Sequence, residues 1–228
     1  MWNKLRSLFA SAAKAPGPES VFEGVDQLAE FAEVSAAVDR VLELDISSAS
    51  ARTEHAARIE TTLDELAREV KLVRRLANGY PETEPINGAV WMNGAGYGVL
   101  GASLTEHFRH ADWLAIELRA SKIWVNAVLA VNSHYHHLVG PAMIACADAQ
   151  GRSGHADARA EMFRAVVLDF AFLVDDLEPD IELEETEVVS LQSLRTAAAG
   201  LLAAGMEEIE GLALADIVAR VDAQLDPD

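Results

Sequence analysis

Cysteine is almost missing from this chain: Cys146 is the single one in 228 residues. One thiol closes no internal disulfide, so a reducing compartment is the simplest expectation. Basic charge is also short, with 18 Lys and Arg against 37 Asp and Glu and a formal net charge of −19. Such a surface repels phosphate backbones, which argues against general binding of DNA or RNA. Long apolar runs are lacking too. The longest, Ile123 to Val131, is interrupted by Asn126, and the alanine-rich run Ala197 to Ala204 is shorter. A bilayer-spanning helix takes roughly 20 apolar residues, so none is expected. Lys4 and Arg6 precede only Leu8 to Ala13 before Lys14 intervenes, which makes a poor signal peptide. The chain reads as soluble and cytoplasmic, with peripheral membrane contact as an option. Catalytic signatures are equally scarce. There is no Gly-x-Ser-x-Gly, no His-Glu-x-x-His, no Walker A sequence and no Cys-x-x-Cys. Cys146 lies between Ala145 and Ala147, as a buried inert thiol would.

What is present is helical pattern, and the expected fold class is all-α. Residues 1–18 carry Lys4, Arg6 and Lys14 and no acid, so they are +3 while the remainder is −22. On a helix, Trp2, Leu5, Leu8 and Phe9 share one side with Ala12 and Ala13. Asn3, Lys4, Ser7, Ser11 and Lys14 share the other. This is a basic amphipathic helix suited to a partner groove or an anionic membrane surface, ended by Pro16-Gly17-Pro18. The plainer reading packs it on its own protein or leaves it disordered. Residues 19–78 read as a long helical hairpin. Leu28, Phe31, Ser35, Val38 and Leu42 form one seam, and Ala56, Ile59, Leu63, Leu66, Val70, Val73 and Ala77 the other. The second seam keeps the coiled-coil spacing over about three heptads. Asp45 to Ser50 supplies turn and N-cap residues.

Residues 79–98, with Pro81, Pro85, Gly88, Gly94, Gly96 and Gly98, read as a long Gly/Pro-rich loop. Residues 99–228 read as a helical core with a C-terminal helix pair. A run without Gly or Pro from Ser103 to Leu138 predicts a break near Ala120-Ser121. Ile123 to Val131, apolar nearly all round, predicts a buried central helix. Gly140-Pro141 predicts another break. Thr186 to Ala204 and Met206 to Leu225 predict the closing pair.

The histidines are the clearest candidates for chemistry. His107 and His110 are three apart on a predicted helix, as are His134 and His137, with His136 between the latter two. Residues three apart share a face, so either pair offers two ligands to a transition metal or a haem. The pairs lie about 36 Å apart on a straight helix, so a common site requires the chain to fold back near residue 120 or the pairs to meet across subunits. The competing reading has His134 to His137 capping a helix end before Gly140-Pro141. Gly96-x-Gly98-x-x-Gly101 matches a dinucleotide-binding fingerprint, but it lacks a convincing strand before it. Glu117, at the distance of the ribose-binding acid, sits in helical pattern.

Between Arg164 and Arg195 stand nine acids and no base, from Asp169 to Glu187. They read as a solvated helix end and loop, or as a docking patch for a basic partner. The stretch Met162-Phe163-Arg164-Ala165-Val166-Val167-Leu168-Asp169-Phe170 resembles the last helix of sensor-type globins. That resemblance implies a haem ligand earlier in the chain, with His110 at a suitable distance. The leading expectation is a non-enzymatic helical adaptor, regulatory or assembly subunit working through a protein partner or self-association. The alternative is a haem- or metal-binding helical sensor or oxidase. An enzyme with its site in the 79–101 loop stands third.

Overall fold

Periodic apolar residues without disulfides or strand alternation dictate helices, and helices make up nearly all of the fold. The computed structural model describes residues 29–79, 88–131, 136–175 and 183–225. The chain divides into two compact units, one ending at Ser133 and the other beginning at His134. Residues 1–28, which hold the predicted amphipathic helix, lie outside the described residues. So does His134.

In the first unit, α1 (Phe31–Leu42) and α2 (Ala49–Ala77) form the predicted hairpin. The Asp45 carboxylate accepts the Ser47 backbone N–H at 3.0 Å and fixes the turn. The Ser48 hydroxyl then accepts the Ala51 N–H at 3.1 Å as the N-cap of α2. Val34, Val38 and Val41 bury the inner face of α1, so Phe31 stands at its edge instead of in its seam. The α2 seam is buried from Ile59 to Ala77 and packs within the unit, against α1 and two later helices. It is therefore a core face of one chain.

The predicted loop over 79–98 requires correction: residues from Gly88 onward belong to α3 (Gly88–His110). Its glycines are packing positions. A Cβ on Gly94 would lie 2.6 Å from Val131, one on Gly98 3.2 Å from Val128, and one on Gly101 2.9 Å from the Trp124 backbone. As the α3 number rises the α4 number falls, so α4 (Leu114–Val131) runs antiparallel to α3 at very close approach. The break between them falls at residues 111–113, not near Ala120-Ser121. Asp112 takes a left-handed conformation (φ 52°), and the Trp113 N–H bonds to the Phe108 carbonyl at 3.0 Å. A short Asp tolerates that conformation better than most residues. No residue of α4 from Ile123 to Val131 is exposed, as predicted. Asn126 is accommodated there by the Arg74 guanidinium, which donates to its Oδ1 at 2.8 Å.

In the second unit, α5 (His136–Arg152) runs through Gly140-Pro141, where the sequence predicted a break. Gly140 is again a close approach: a Cβ there would lie 2.6 Å from the Cβ of Ser193 and 2.9 Å from the Phe170 ring. Next come α6 (Ala156–Phe170), α7 (Phe172–Asp175) and α8 (Glu185–Ala203), the last opened by a capping box between Glu184 and Glu187. Phe163, Phe170, Leu191 and Leu194 form much of this core, with Cys146 fully buried beside them. The final helix is shorter than predicted. Residues 208–213 form a small hairpin, β1 (Glu208–Ile209) paired antiparallel with β2 (Leu212–Ala213). Its turn residues Glu210 and Gly211 both have positive φ, and α9 (Leu214–Leu225) follows.

Candidate functional site

Helix α3 carries no charged residue from Gly88 to Thr105, in a chain that is 24% charged. Its glycine face is used up against α4. Two residues along a helix turn the direction by about 200°, so Met92 and Val99 project opposite Gly94 and Gly101. They are 65% and 66% exposed. Trp91 is also exposed on α3, and Phe31 of α1 lies directly over Gly96, one turn from both Met92 and Val99. The result is an apolar stripe on the surface of the first unit, with exposed Glu30 next to Phe31 in the chain and Glu106 one further heptad along α3.

A buried polar clasp fixes one edge of this stripe. Glu69, almost fully buried on α2, accepts the Ala29 backbone N–H at 3.0 Å and the Arg68 guanidinium at 3.0 Å. The Tyr97 hydroxyl donates to the Ala29 carbonyl at 3.3 Å, and its ring lies 5.8 Å from Phe31. Burial first, and the Glu69 charge second, push the Tyr97 hydroxyl up to about 12, so it stays a donor. Ala29 is thereby pinned next to the stripe.

The corner between α3 and α4 holds the first histidine pair. The two rings part company. His107 lies against Phe108 at 5.5 Å, its Nε2 buried without a hydrogen-bond partner. Burial, and then the neighbouring His110, lower its pKa, so its ring is held neutral. His110 is 74% exposed and its Nε2 meets Glu106 at 3.3 Å. Glu117, fully buried at the start of α4, binds Arg109 Nε at 3.2 Å and ties the corner together. In the second unit, His136 packs edge-on against Phe170 at 4.6 Å and Phe172 at 5.2 Å, and His137 is half-buried beside it. Among the described residues no three His, Cys, Asp or Glu side chains gather as a metal site.

The Gly96-Gly98-Gly101 motif lies inside α3, where backbone N–H groups are taken up by helix bonds and cannot cradle a phosphate. The acid run is not wholly solvated. Asp169 is half-buried with an unpartnered Oδ2, and burial raises its carboxyl to about 6. An open cleft of about 570 Å³ in the second unit is lined by Arg195, Asp222, Ala223 and Leu225, and its charged residues are paired with each other. Within Met162 to Phe170, the residues Met162, Phe163, Ala165, Val166, Val167 and Phe170 form the core side of α6.

Sequence reading missed the stripe because it scored glycines as loop residues. The available signal was the seven-residue interval shared by Gly94 and Gly101 and, on the opposite side, by Met92 and Val99. The proposed interaction residues Trp2, Leu5, Leu8 and Phe9 lie outside the described residues. Among the described residues no helix is long and apolar enough to cross a membrane. Set against protein families, curated proteins and solved structures, the chain matches none of them.

Proposed function

We propose that this protein is a non-enzymatic helical adaptor or assembly subunit that works by protein–protein contact through the apolar stripe of α3. The observation that carries the reading is the exposure of Met92 and Val99 on an uncharged helix face of a strongly acidic chain. Contiguous exposed apolar surface of this kind marks contact sites. The partner it fits is a helix with apolar anchors at three- and four-residue steps and basic ends, since Glu30 and Glu106 stand near the two ends of the stripe. The test is photo-cross-linking in cells from positions 92 and 99, with the exposed position 64 on α2 as control. The reading expects one protein to be trapped from 92 and 99 but not from 64. It also expects the purified complex to be weakened about tenfold or more by Val99→Glu. Equal trapping from all three positions would sink it.

A haem or transition-metal role has one supporting observation, the buried, unpartnered Nε2 of His107. A Soret band or a stoichiometric metal in the purified protein, lost in His107→Ala, would establish that role and displace the adaptor reading.

A further inference from the structure

We infer that the first unit carries a second contact face, a basic ridge on α2 and α4 that binds an acidic segment of a protein partner. That face is separate from the α3 stripe. Acids outnumber bases 37 to 18 in this chain, yet exposed cations line up on one helix. Arg68, Lys71 and Arg75 recur at three- and four-residue steps, so they share the side of α2 opposite its buried seam. From Leu66 to Ala77 the single acid is Glu69, and its side chain is only 3% exposed.

Helix α4 adds to the ridge. Its Arg119 pairs with Glu60 and Asp64 of α2, and its Asn126 accepts the Arg74 guanidinium at 2.8 Å. Residue numbers rise together along the two contacts, so the helices run side by side in the same direction. Lys122 follows Arg119 by three residues and precedes Asn126 by four, on the face of α4 that these contacts turn to α2. It therefore comes alongside α2 between Asp64 and Arg74, the stretch that holds Arg68 and Lys71. Lys122 is exposed, and α4 carries no acid after Glu117. Arg68 is also held by Glu69 at 3.0 Å and Glu65 at 3.8 Å, and Lys71 and Lys122 form the centre of the ridge. Complementing the helix dipole accounts for Arg74 and Arg75 in the last turn of α2. It does not account for Lys122 in mid-helix, or for Arg68 and Lys71 more than a turn earlier.

Like charges at these spacings repel one another, and a row of carboxylates relieves that repulsion. The ridge from Arg68 to Arg75 is about 10 Å long, which matches two turns of a partner helix with Asp or Glu at three- and four-residue steps. At physiological salt, charges are screened beyond about 8 Å, so a short segment senses the local cations more than the net −19 of the chain. A DNA duplex or an anionic bilayer spreads its phosphates wider than the ridge. It would also meet the exposed Asp64, on the same side of α2 one turn before Arg68.

The test uses the lysines, of which the chain has four: Lys71 and Lys122 on the ridge, and Lys4 and Lys14 within the first 18 residues. The probe is a fluorescein-labelled, alanine-based helix with glutamates at three- and four-residue steps, titrated with the full chain at low and physiological salt. Lys71→Glu/Lys122→Glu should weaken its binding about tenfold or more. Lys4→Glu/Lys14→Glu changes the net charge equally and should leave binding within about twofold. Equal losses in the two variants would mean that only net charge is sensed and would overturn the inference, as would a probe that does not bind the parent chain. Lys71→Gln/Lys122→Gln covers the case in which charge reversal unfolds α2. It should lose binding several-fold at an unchanged unfolding midpoint, and full binding would overturn the inference. Duplex DNA or phosphatidylserine vesicles, bound as tightly as the probe and lost on the same reversal, would replace the acidic segment with a phosphate surface. Val99→Glu should leave probe binding unchanged, whereas a loss equal to that of the ridge reversal would put the probe on the α3 stripe and remove the ridge. Trapping from positions 92 and 99 in the Lys71→Glu/Lys122→Glu chain reads the stripe separately, so either face can fail without the other.

Discussion

On the side of α3 turned to α4, Gly94 and Gly101 leave no room for side chains and Gly98 leaves room for no more than a methyl, while on the opposite side Met92 and Val99 stand about two-thirds exposed. One helix thus spends its smallest residues on its closest contact and shows water some of its largest apolar ones. Glycine in a helix interior costs about 1 kcal/mol relative to alanine. The cost is offset here by backbone approach, since the Trp124 main chain lies where a Gly101 side chain would go. Among the described residues the exposed side has no such contact, which is why it reads as a contact surface.

The largest expected effect comes from filling the glycine face. Gly101→Leu drives a side chain into the α4 backbone, which cannot step aside, and should cost about 3 kcal/mol in urea unfolding. Gly98→Ala meets the Val128 side chain at 3.2 Å and the Ala127 Cβ at an ordinary 3.9 Å, with no backbone in the way. Helix propensity gains about 1 kcal/mol there, so Gly98→Ala should stay within about 1 kcal/mol of the parent. Similar losses at both positions would mean that the close approach does not govern α3.

Ion pairs draw a second contrast, between the two units. Glu117 is fully buried beneath Arg109, whereas Arg195 and Asp222 are each nearly half exposed. Glu117→Ala should destabilise by about 2 kcal/mol, as loss of a charge-assisted buried hydrogen bond does. Asp222→Ala should cost under about 1 kcal/mol, the range of surface pairs. Thermal unfolding of the two variants checks the order.

How much of this was legible follows from what each residue was asked to do. The α2 seam, the Ser48 cap and the buried run Ile123 to Val131 were readable because spacing and capping chemistry act locally. Gly88 to Gly98 and Gly140-Pro141 were misread because both were scored as breakers. Only the packed structure shows that Gly94 faces Val131 and that Gly140 faces Ser193. The turn at Asp112 and the hairpin at Glu210-Gly211 were missed because each rests on left-handed residues that sequence pattern does not single out. Histidine spacing alone does not say that His107 turns inward while His110 reaches water.

Acid should act oppositely on the two units. Asp169 titrates near 6 in the fold and near 3.8 when unfolded, so the folded state binds more protons between those values. Its contribution to stability therefore rises as pH falls through 6 toward 4. His107 has a folded pKa below 6.5, so the unfolded state binds more protons and its contribution falls with pH just below that value. Asp169→Asn should be more stable than the parent at pH 7, with the difference shrinking by pH 4. His107→Phe should lose its disadvantage, or gain an advantage, over the same descent. Urea titrations at four or five pH values separate the two slopes, and parallel slopes would mean that neither group is buried as described.

The smallest effect on stability should come from the exposed side of α3, and it is the most informative. Val99→Glu places a charge on a side chain position that is 66% exposed, so unfolding free energy should move by no more than about 0.5 kcal/mol. The same substitution should weaken the complex trapped from positions 92 and 99 about tenfold or more, because the partner loses its apolar footing on the stripe. A core position would fail the first measurement, and an idle surface position would show no change in the second. Only a face that the folded residues leave open, and that a partner then covers, gives a neutral stability together with a weakened complex.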